Sequence, residues 1–146
     1  MLCNELMKTD VLIANARAPV GEAAVVMRDA NVGFLPVCDL DTGEVLGTIT
    51  DRDIAIRLVA NGMPSSVSAG EIATPATIFC KANTDIETAH EIMRDNRIAR
   101  VLCVDEKGRL AGVLSLSDIA TRMPELAAET LRELSERDLE KGDSRE

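Results

Sequence analysis

Residues 20–29 read Val-Gly-Glu-Ala-Ala-Val-Val-Met-Arg-Asp, and residues 86–95 read Ile-Glu-Thr-Ala-His-Glu-Ile-Met-Arg-Asp. The two stretches share Ala, Met, Arg and Asp at matching positions, and both begin with a branched apolar side chain. Matches that recur in the same order along a chain indicate one structural unit present twice. The later segments that match in this way are 32–39 with 98–105 and 43–53 with 108–118.

The repeat divides the chain into three parts. A stretch rich in Gly, Pro and Ser, residues 61–70, marks the natural boundary between the two copies. We therefore place the first repeat at residues 1–62, the second at 63–124 and a separate acidic tail at 125–146.

The tail predicts a solvated helix that frays toward its end. Its acidic side chains outnumber its basic ones, and Pro124 suits the first helical turn. We expect disorder over residues 141–146. One weak apolar edge of this helix would pack against the body of the protein or a second subunit. The main residues of this edge are Leu126, Leu131, Leu134 and Leu139.

Each copy predicts a helix between β-like runs. Apolar residues recur at helical spacing from Val20 to Met27, and again from Ile86 to Met93. A short apolar stretch precedes each helix, at 11–14 and at 77–80.

A hairpin and a second helix complete each copy. An apolar run at 34–38 or 101–104 is followed by an Asp/Gly turn and by a second run, which ends at Ile49 or Leu114. Two adjacent runs joined by a short turn predict an antiparallel hairpin. The second helices are expected at 50–58 and 115–122.

Composition excludes several classes of protein. Hydrophobic residues make up 46% of the 146 residues, which supports a folded core and excludes a disordered chain. The net charge of −9 repels phosphate backbones and anionic lipid, so we expect no binding to nucleic acid or to a membrane surface. The chain has no apolar run long enough to span a bilayer and no secretion signal at its start, which predicts a cytoplasmic protein.

The four cysteines and the single histidine form no recognisable motif. Cys3, Cys38, Cys80 and Cys103 stand far apart without a C-x-x-C pair, which argues against a zinc site. We interpret them as structural buried thiols, and a redox disulfide is the alternative. His90 lies on a predicted helix without a candidate ligand or nucleophile beside it. We therefore expect no catalytic residue and no metal site.

Each copy closes with a hydroxyl residue at the strand-to-helix junction and an aspartate three residues later. The sequence is Gly-Thr-Ile-Thr-Asp-Arg-Asp at 47–53 and Gly-Val-Leu-Ser-Leu-Ser-Asp at 112–118. In one interpretation Thr50 and Ser115 are helix N-caps, and the aspartates complete a capping box. In the other, the hydroxyl and backbone N–H groups bind a phosphate, and the carboxylate accepts hydrogen bonds from both hydroxyls of a ribose. Spacing alone leaves both interpretations open.

The tandem pattern resembles the cystathionine-β-synthase-type (CBS) domain pair, also called a Bateman module. The resemblance covers residues 4–122 and includes Phe-Leu-Pro-Val at 34–37 before the first turn. The stretch 47–54 is similar to stand-alone bacterial CBS-pair proteins of the stress-response or hypoxic-response kind. The resemblance implies an α/β (α+β) fold, in which tandem β-α-β-β-α repeats pack sheet to sheet with pseudo-twofold symmetry. It also implies homodimers and two clefts that bind AMP, ADP, ATP or S-adenosylmethionine.

The resemblance assigns roles to the two junctions. Thr50 and Asp53 would hold the phosphate and ribose in one cleft, and Ser115 and Asp118 would do so in the other. The second copy lacks a counterpart of Pro36, so the two clefts need not be equivalent.

Further positions follow from the same resemblance. Arg100 matches a phosphate-contacting position, and Arg52 and Arg97 are additional candidates for pairing with phosphate. The implied walls around the adenine are Ile13, Ala14, Leu35, Pro36, Val37, Thr77, Ile78 and Val101. Leu102 and Cys103, which follow Val101, belong to the same wall.

The sequence as a whole predicts a non-catalytic regulatory module with no obligatory cofactor. It would bind an adenosine-containing ligand in clefts between the repeats and signal to a protein partner in trans through a conformational or dimer change. The alternative is a structural or protein-interaction dimer whose clefts are unused.

Overall fold

The computed structural model describes the backbone of residues 1–143 and the side chains of residues 1–136. The chain forms two compact units, and each contains more than one stretch of sequence. The first unit comprises residues 10–78 and 106–110, and the second comprises residues 1–9, 79–105 and those from 111 onward. The nine N-terminal residues of the first repeat are therefore part of the second compact unit.

The first unit is a mixed sheet with helices. Its sheet has the order β1-β2-β3-β4, with β1 parallel to β2 and the other neighbours antiparallel. The elements are β1 Ala14–Asn15, α1 Val20–Ala30, β2 Phe34–Cys38, β3 Val45–Thr50, α2 Asp51–Asp53, a π-helical segment Ile54–Val59, α3 Ala69–Ile72 and β4 Thr74–Pro75.

The hairpin β2–β3 supplies the centre of the first core. Leu35 and Ile49 are opposite each other in the antiparallel ladder, and both side chains are fully buried. One face of α1 packs onto this core through Val20, Ala23 and Met27, which confirms the apolar pattern predicted from their spacing.

The second unit repeats this arrangement with a three-stranded sheet of order β5-β6-β7. A 3₁₀ turn at Cys3–Glu5 precedes these elements. They are β5 Phe79–Lys81, α4 Ile86–Asn96, β6 Arg100–Val104, β7 Leu110–Ser115, α5 Leu116–Arg122 and α6 Pro124–Asp143.

The two copies of the repeat end their first helices in the same way. Asn31 after α1 and Arg97 after α4 both adopt the left-handed conformation with φ of 54°. Asparagine visits this region at low cost, whereas arginine does so rarely. The shared geometry confirms that one structural unit occurs twice.

The predicted elements differ from the observed ones at the first strand of each copy and at the second helix of the first copy. The strands β1 and β5 start later than the apolar stretches at 11–14 and 77–80, because only their last residues pair with β2 and β6. The second helix of the first copy widens into a π-helix, in which the Ala60 amide bonds the Ala55 carbonyl five residues earlier. Apolar spacing does not separate this geometry from an α-helix.

The tail helix is more firmly attached than its composition predicts. It runs from Pro124 to Asp143, so the predicted disorder is wrong for residues 141–143, and residues 144–146 lie outside the described part. Its buried positions are Ala127 and Thr130, whereas Leu131 is 49% exposed. Leu131 therefore does not pack against the body of the protein, its packing against a second subunit stays a prediction, and the Leu139 side chain lies outside the described side chains.

No helix within the described residues is both long enough and apolar enough to cross a membrane.

Candidate ligand-binding site

Thr50 and Asp53 form a reciprocal pair at the junction of β3 and α2. The Asp53 amide donates a hydrogen bond to Thr50 Oγ1 at 3.1 Å, and the Thr50 amide donates to Asp53 Oδ2 at 3.0 Å. The Asp53 side chain is only 18% exposed. This is a capping box, so the local sequence explains why the helix begins at this point.

Ser115 and Asp118 repeat this geometry at the junction of β7 and α5. The two reciprocal hydrogen bonds are both 3.1 Å long, and the Asp118 side chain is 16% exposed. The Ser115 hydroxyl also lies 3.0 Å from the hydroxyl of Ser117. The capping interpretation of the sequence therefore describes both copies.

The capping boxes leave ligand-binding capacity in place. A hydroxyl that accepts one hydrogen bond still carries a hydrogen that it can donate to a phosphate oxygen. Each aspartate uses Oδ2 in its cap, and its Oδ1 atom has further lone pairs for a ribose hydroxyl. The cap and the ligand-binding interpretations are compatible, because they use different atoms of the same side chains.

A cation lies near the remaining oxygen of each aspartate. Arg57 Nε is 3.9 Å from Asp53 Oδ1, and Lys8 Nζ is 3.9 Å from Asp118 Oδ1. Both contacts are long, and both cationic side chains are substantially exposed, so they hold the carboxylates weakly. In a protein of net charge −9, Arg57 and Lys8 are cations that the structure pairs with the junction aspartates.

Sequence reasoning missed both of these cations. Arg57 follows Asp53 by four residues within a predicted helix, and this spacing could have identified it. Lys8 is more than a hundred residues from Asp118 and carries no sequence signal for this contact.

The predicted phosphate-binding arginines occupy three different positions. Arg52 is exposed in α2, next to Asp53 in sequence. Arg97 directly follows α4, and Arg100 is the exposed first residue of β6. Their roles toward a phosphate stay predictions.

The predicted apolar walls are mostly part of the cores. Leu35, Val37 and Val101 are at most 2% exposed, and Pro36 and Ala14 are also buried. Ile13 and Ile78 are partly exposed, and Thr77 is exposed. Thr77 and Ile78 belong to the first compact unit, and Val101 belongs to the second.

Ile13 and Ala14 also line a small cavity beside α1. Its volume is about 170 Å³, and Ala18, Glu22 and Val26 form part of its wall. Ligand pockets usually measure roughly 300–1,000 Å³. The cavity is therefore small for a nucleotide, and Thr50 and Asp53 do not line it.

Within the described residues, no group of three or more His, Cys, Asp or Glu side chains has the arrangement of a metal site.

Comparison with known proteins identifies the family. The CBS domain profile matches residues 3–60 and 69–125, and the chain therefore belongs to the CBS domain family. Hypoxic response protein 1 of Mycobacterium tuberculosis is 33% identical over 124 residues, which span 84% of this chain and 85% of that protein. These findings confirm the CBS domain pair and its similarity to stand-alone proteins of the hypoxic-response kind.

Solved structures confirm the tandem CBS fold. Hypoxic Response Protein I, with two coordinated zinc ions, has a TM-score of 0.74 and 31% identity, over 85% of this chain and all of that one. A CBS domain protein of Pyrobaculum aerophilum complexed with AMP has a TM-score of 0.73 and 26% identity, over 92% of this chain and 98% of that one. The CBS domain pair of protein MJ0100, in complex with 5′-methylthioadenosine and S-adenosyl-L-methionine, has a TM-score of 0.71 and 25% identity, over 86% and 97%.

Proposed function

We propose that this protein is a non-catalytic regulatory module that binds an adenosine-containing ligand at its two strand-to-helix junctions. The observation that carries the proposal is the pair of matching junctions, each with a hydroxyl and a mostly buried aspartate that retains an oxygen for a ligand. Relatives of the same fold are complexed with AMP or with S-adenosyl-L-methionine, which supports this class of ligand.

The chemistry of each junction suits a nucleoside more than a free phosphate. A ribose diol donates two hydrogen bonds, and a carboxylate only accepts them. A phosphate alone would meet repulsion from the same carboxylate and from the overall charge of −9. Arg57 and Lys8, already within 3.9 Å of the aspartates, would offset part of that repulsion for a phosphorylated ligand.

The experiment is a thermal-shift screen of the full chain at neutral pH. AMP, ADP, ATP and S-adenosylmethionine are compared with GMP as a control that keeps ribose and phosphate but changes the base. A ligand at about 100 times its Kd adds roughly 2.7 kcal/mol, or on the order of 5–10 °C for a chain of this size. If none of the adenosine ligands shifts the midpoint, the proposal is wrong.

Two matched variants separate ligand binding from helix capping. In Asp53→Asn and Asp118→Asn the amide oxygen can still accept the N-cap hydrogen bond, while the charge and the paired acceptor are lost. We expect each variant to melt close to the unchanged protein without ligand and to lose part of the ligand-induced shift. Retention of the full shift in the double variant would exclude the junctions as the binding site.

A second candidate function is that of an interaction module, and an exposed apolar surface favours it. Ile56 and Val59 in the π-helical segment are 47% and 68% exposed, and Met63 just beyond it is 37% exposed. We propose that in this function the surface joins two copies of the chain in a homodimer, the assembly that the family resemblance implies, and that the clefts are unused. Light scattering of Val59→Lys tests this: a monomer supports the proposal, and an unchanged dimer contradicts it.

A further inference from the structure

Three of the four cysteines come together in the second unit. Cys80 in β5 and Cys103 in β6 are directly opposite each other in the parallel ladder, so their side chains are on the same face of the sheet. Cys3 lies in the N-terminal 3₁₀ turn, whose backbone is hydrogen-bonded to Ala82 and Thr84 just beyond β5. All three side chains are buried, at 0% exposure for Cys3 and Cys103 and 3% for Cys80.

Backbone hydrogen bonds fix Cys3 against this pair. The Cys3 amide donates to the Thr84 carbonyl at 2.8 Å, and the Asn4 amide donates to the Ala82 carbonyl at 2.8 Å. Lys8 and Val113 exchange two further hydrogen bonds of 2.9 Å. The N-terminal segment is therefore aligned with the sheet, and the position of Cys3 follows from that alignment.

The three thiols are chemically unequal. The thiols of Cys103 and Cys80 donate to the Cys3 sulfur, which lowers the pKa of Cys3 below its ordinary value. The same hydrogen bonds, together with burial, raise the pKa of Cys80 and of Cys103. A thiolate is the nucleophilic form of cysteine, and Cys3 is also the member of the cluster that lies outside the sheet, so we take Cys3 as the cysteine that reacts first.

We propose that this cluster is a reversible redox site, in which a hydroperoxide oxidises Cys3 and a disulfide then joins Cys3 to Cys103. The Cys3 thiolate attacks one peroxide oxygen, the O–O bond breaks, and the sulfur becomes a sulfenic acid while the leaving hydroxide takes a proton to form water. The Cys103 sulfur then attacks the sulfenic sulfur, and the displaced hydroxide leaves as water with the Cys103 proton. Two thiols and one hydrogen peroxide thus give one disulfide and two waters, and a dithiol reverses the change.

Access to Cys3 depends on the N-terminal segment. Backbone hydrogen bonds hold this segment in place, among them the one from the Ile86 amide to the Met1 carbonyl at 2.9 Å, but Met1, Asn4 and Glu5 around Cys3 are exposed. Exposed segments open more readily than the core, and opening exposes the reactive sulfur to peroxide. The disulfide would then fasten this segment to β6.

Cys38 provides an internal control. It is 2% exposed and lies in the first unit, and burial is what raises the pKa of its thiol. It has the burial of the cluster without the neighbouring thiols that activate Cys3. We therefore expect Cys38 to stay reduced under conditions that oxidise the cluster.

The test is a disulfide map of the reduced, full-length protein after graded hydrogen peroxide. The sample is alkylated while folded, then unfolded and alkylated again with an isotopically heavy reagent, and its peptides are identified by mass spectrometry. We expect a peptide pair that joins Cys3 to Cys103, with Cys38 and Cys80 recovered as thiols. Subsequent dithiothreitol should return all four cysteines to the thiol form.

Two variants complete the test. Cys3→Ser should abolish the disulfide at every peroxide dose, and Cys38→Ser should leave the dose response unchanged. The map of the unmutated chain decides the question even if Cys3→Ser fails to fold. The proposal is overturned if no disulfide forms before unfolding, if the disulfide leaves out Cys3, or if Cys38 is oxidised as readily as Cys3.

Discussion

The side chains of His90 and Thr130 are joined by a hydrogen bond of 2.8 Å between Nε2 and Oγ1, and both residues are at most 1% exposed. His90 lies on α4 and Thr130 on α6, so this buried contact attaches the tail helix to the second unit. A polar pair without access to water is costly to separate, because each group then loses its partner.

Thr130→Val is expected to destabilise the protein by about 1–3 kcal/mol, since a methyl group replaces the partner of a buried histidine nitrogen. Thr130→Ser keeps the hydroxyl and is the matched control, with a smaller loss from the missing methyl group. Urea unfolding followed by circular dichroism measures both. A Thr130→Val variant as stable as the unchanged protein would show that the hydrogen bond contributes nothing.

Removing either N-cap hydroxyl is expected to weaken the helix that follows it. Thr50→Ala and Ser115→Ala should each lower the free energy of unfolding by about 1 kcal/mol, because the amides of Asp53 and Asp118 lose their acceptors. Thr50→Ser retains the acceptor and should cost much less. Equal losses for Thr50→Ala and Thr50→Ser in urea titrations would contradict the capping role.

Gly47 is required by the close approach of β4. A Cβ atom at this position would collide with the Thr74 carbonyl oxygen, which belongs to the backbone of the neighbouring strand. Gly47→Ala should therefore cost about 1–3 kcal/mol as the strands separate. Gly62→Asn is the control, since asparagine tolerates the φ of 65° at this position and a Cβ atom added there meets nothing within 4 Å. Thermal unfolding should place only Gly47→Ala well below the unchanged protein.

The raised pKa of the buried Cys38 thiol is expected to make the reduced protein less stable in alkali. Burial raises the pKa of Cys38 above 9.0, so the folded chain keeps a proton that the unfolded chain releases as the pH rises past that value. The unfolded state then binds fewer protons, and stability falls with increasing pH by at most about 1.4 kcal/mol per pH unit for each such thiol. Cys38→Ala should reduce this slope. Urea titrations from pH 8 to pH 10.5 under reducing conditions measure the slope, and an unchanged slope in the variant would contradict the assignment.

Local patterns predicted the fold well where contacts are local. The helices at Val20–Ala30 and Ile86–Asn96 and the strand Phe34–Cys38 follow from apolar spacing and from the repeat. The capping boxes follow from a three-residue spacing, which a sequence displays directly.

Contacts between distant residues could not be predicted in this way. Lys8 and Asp118 approach each other only because the N-terminal segment joins the second unit, and the cluster of Cys3, Cys80 and Cys103 has the same origin. The predicted edge of α6 did not include its buried residues, Ala127 and Thr130, because a count of apolar residues gives them less weight than leucine. The roles of individual residues in ligand binding stay predictions for the same reason, since they depend on side chains far apart in sequence.

The packing of the N-terminal segment in the second unit also has a consequence for protein synthesis. Residues 1–9 are synthesised well before the residues that they pack with, which begin at 79. At about 5–20 residues per second, the nascent segment waits roughly 4–15 s for its partners. A chain released at the end of the first repeat would contain neither unit complete, so translation of the second repeat is needed before either compact unit can finish folding.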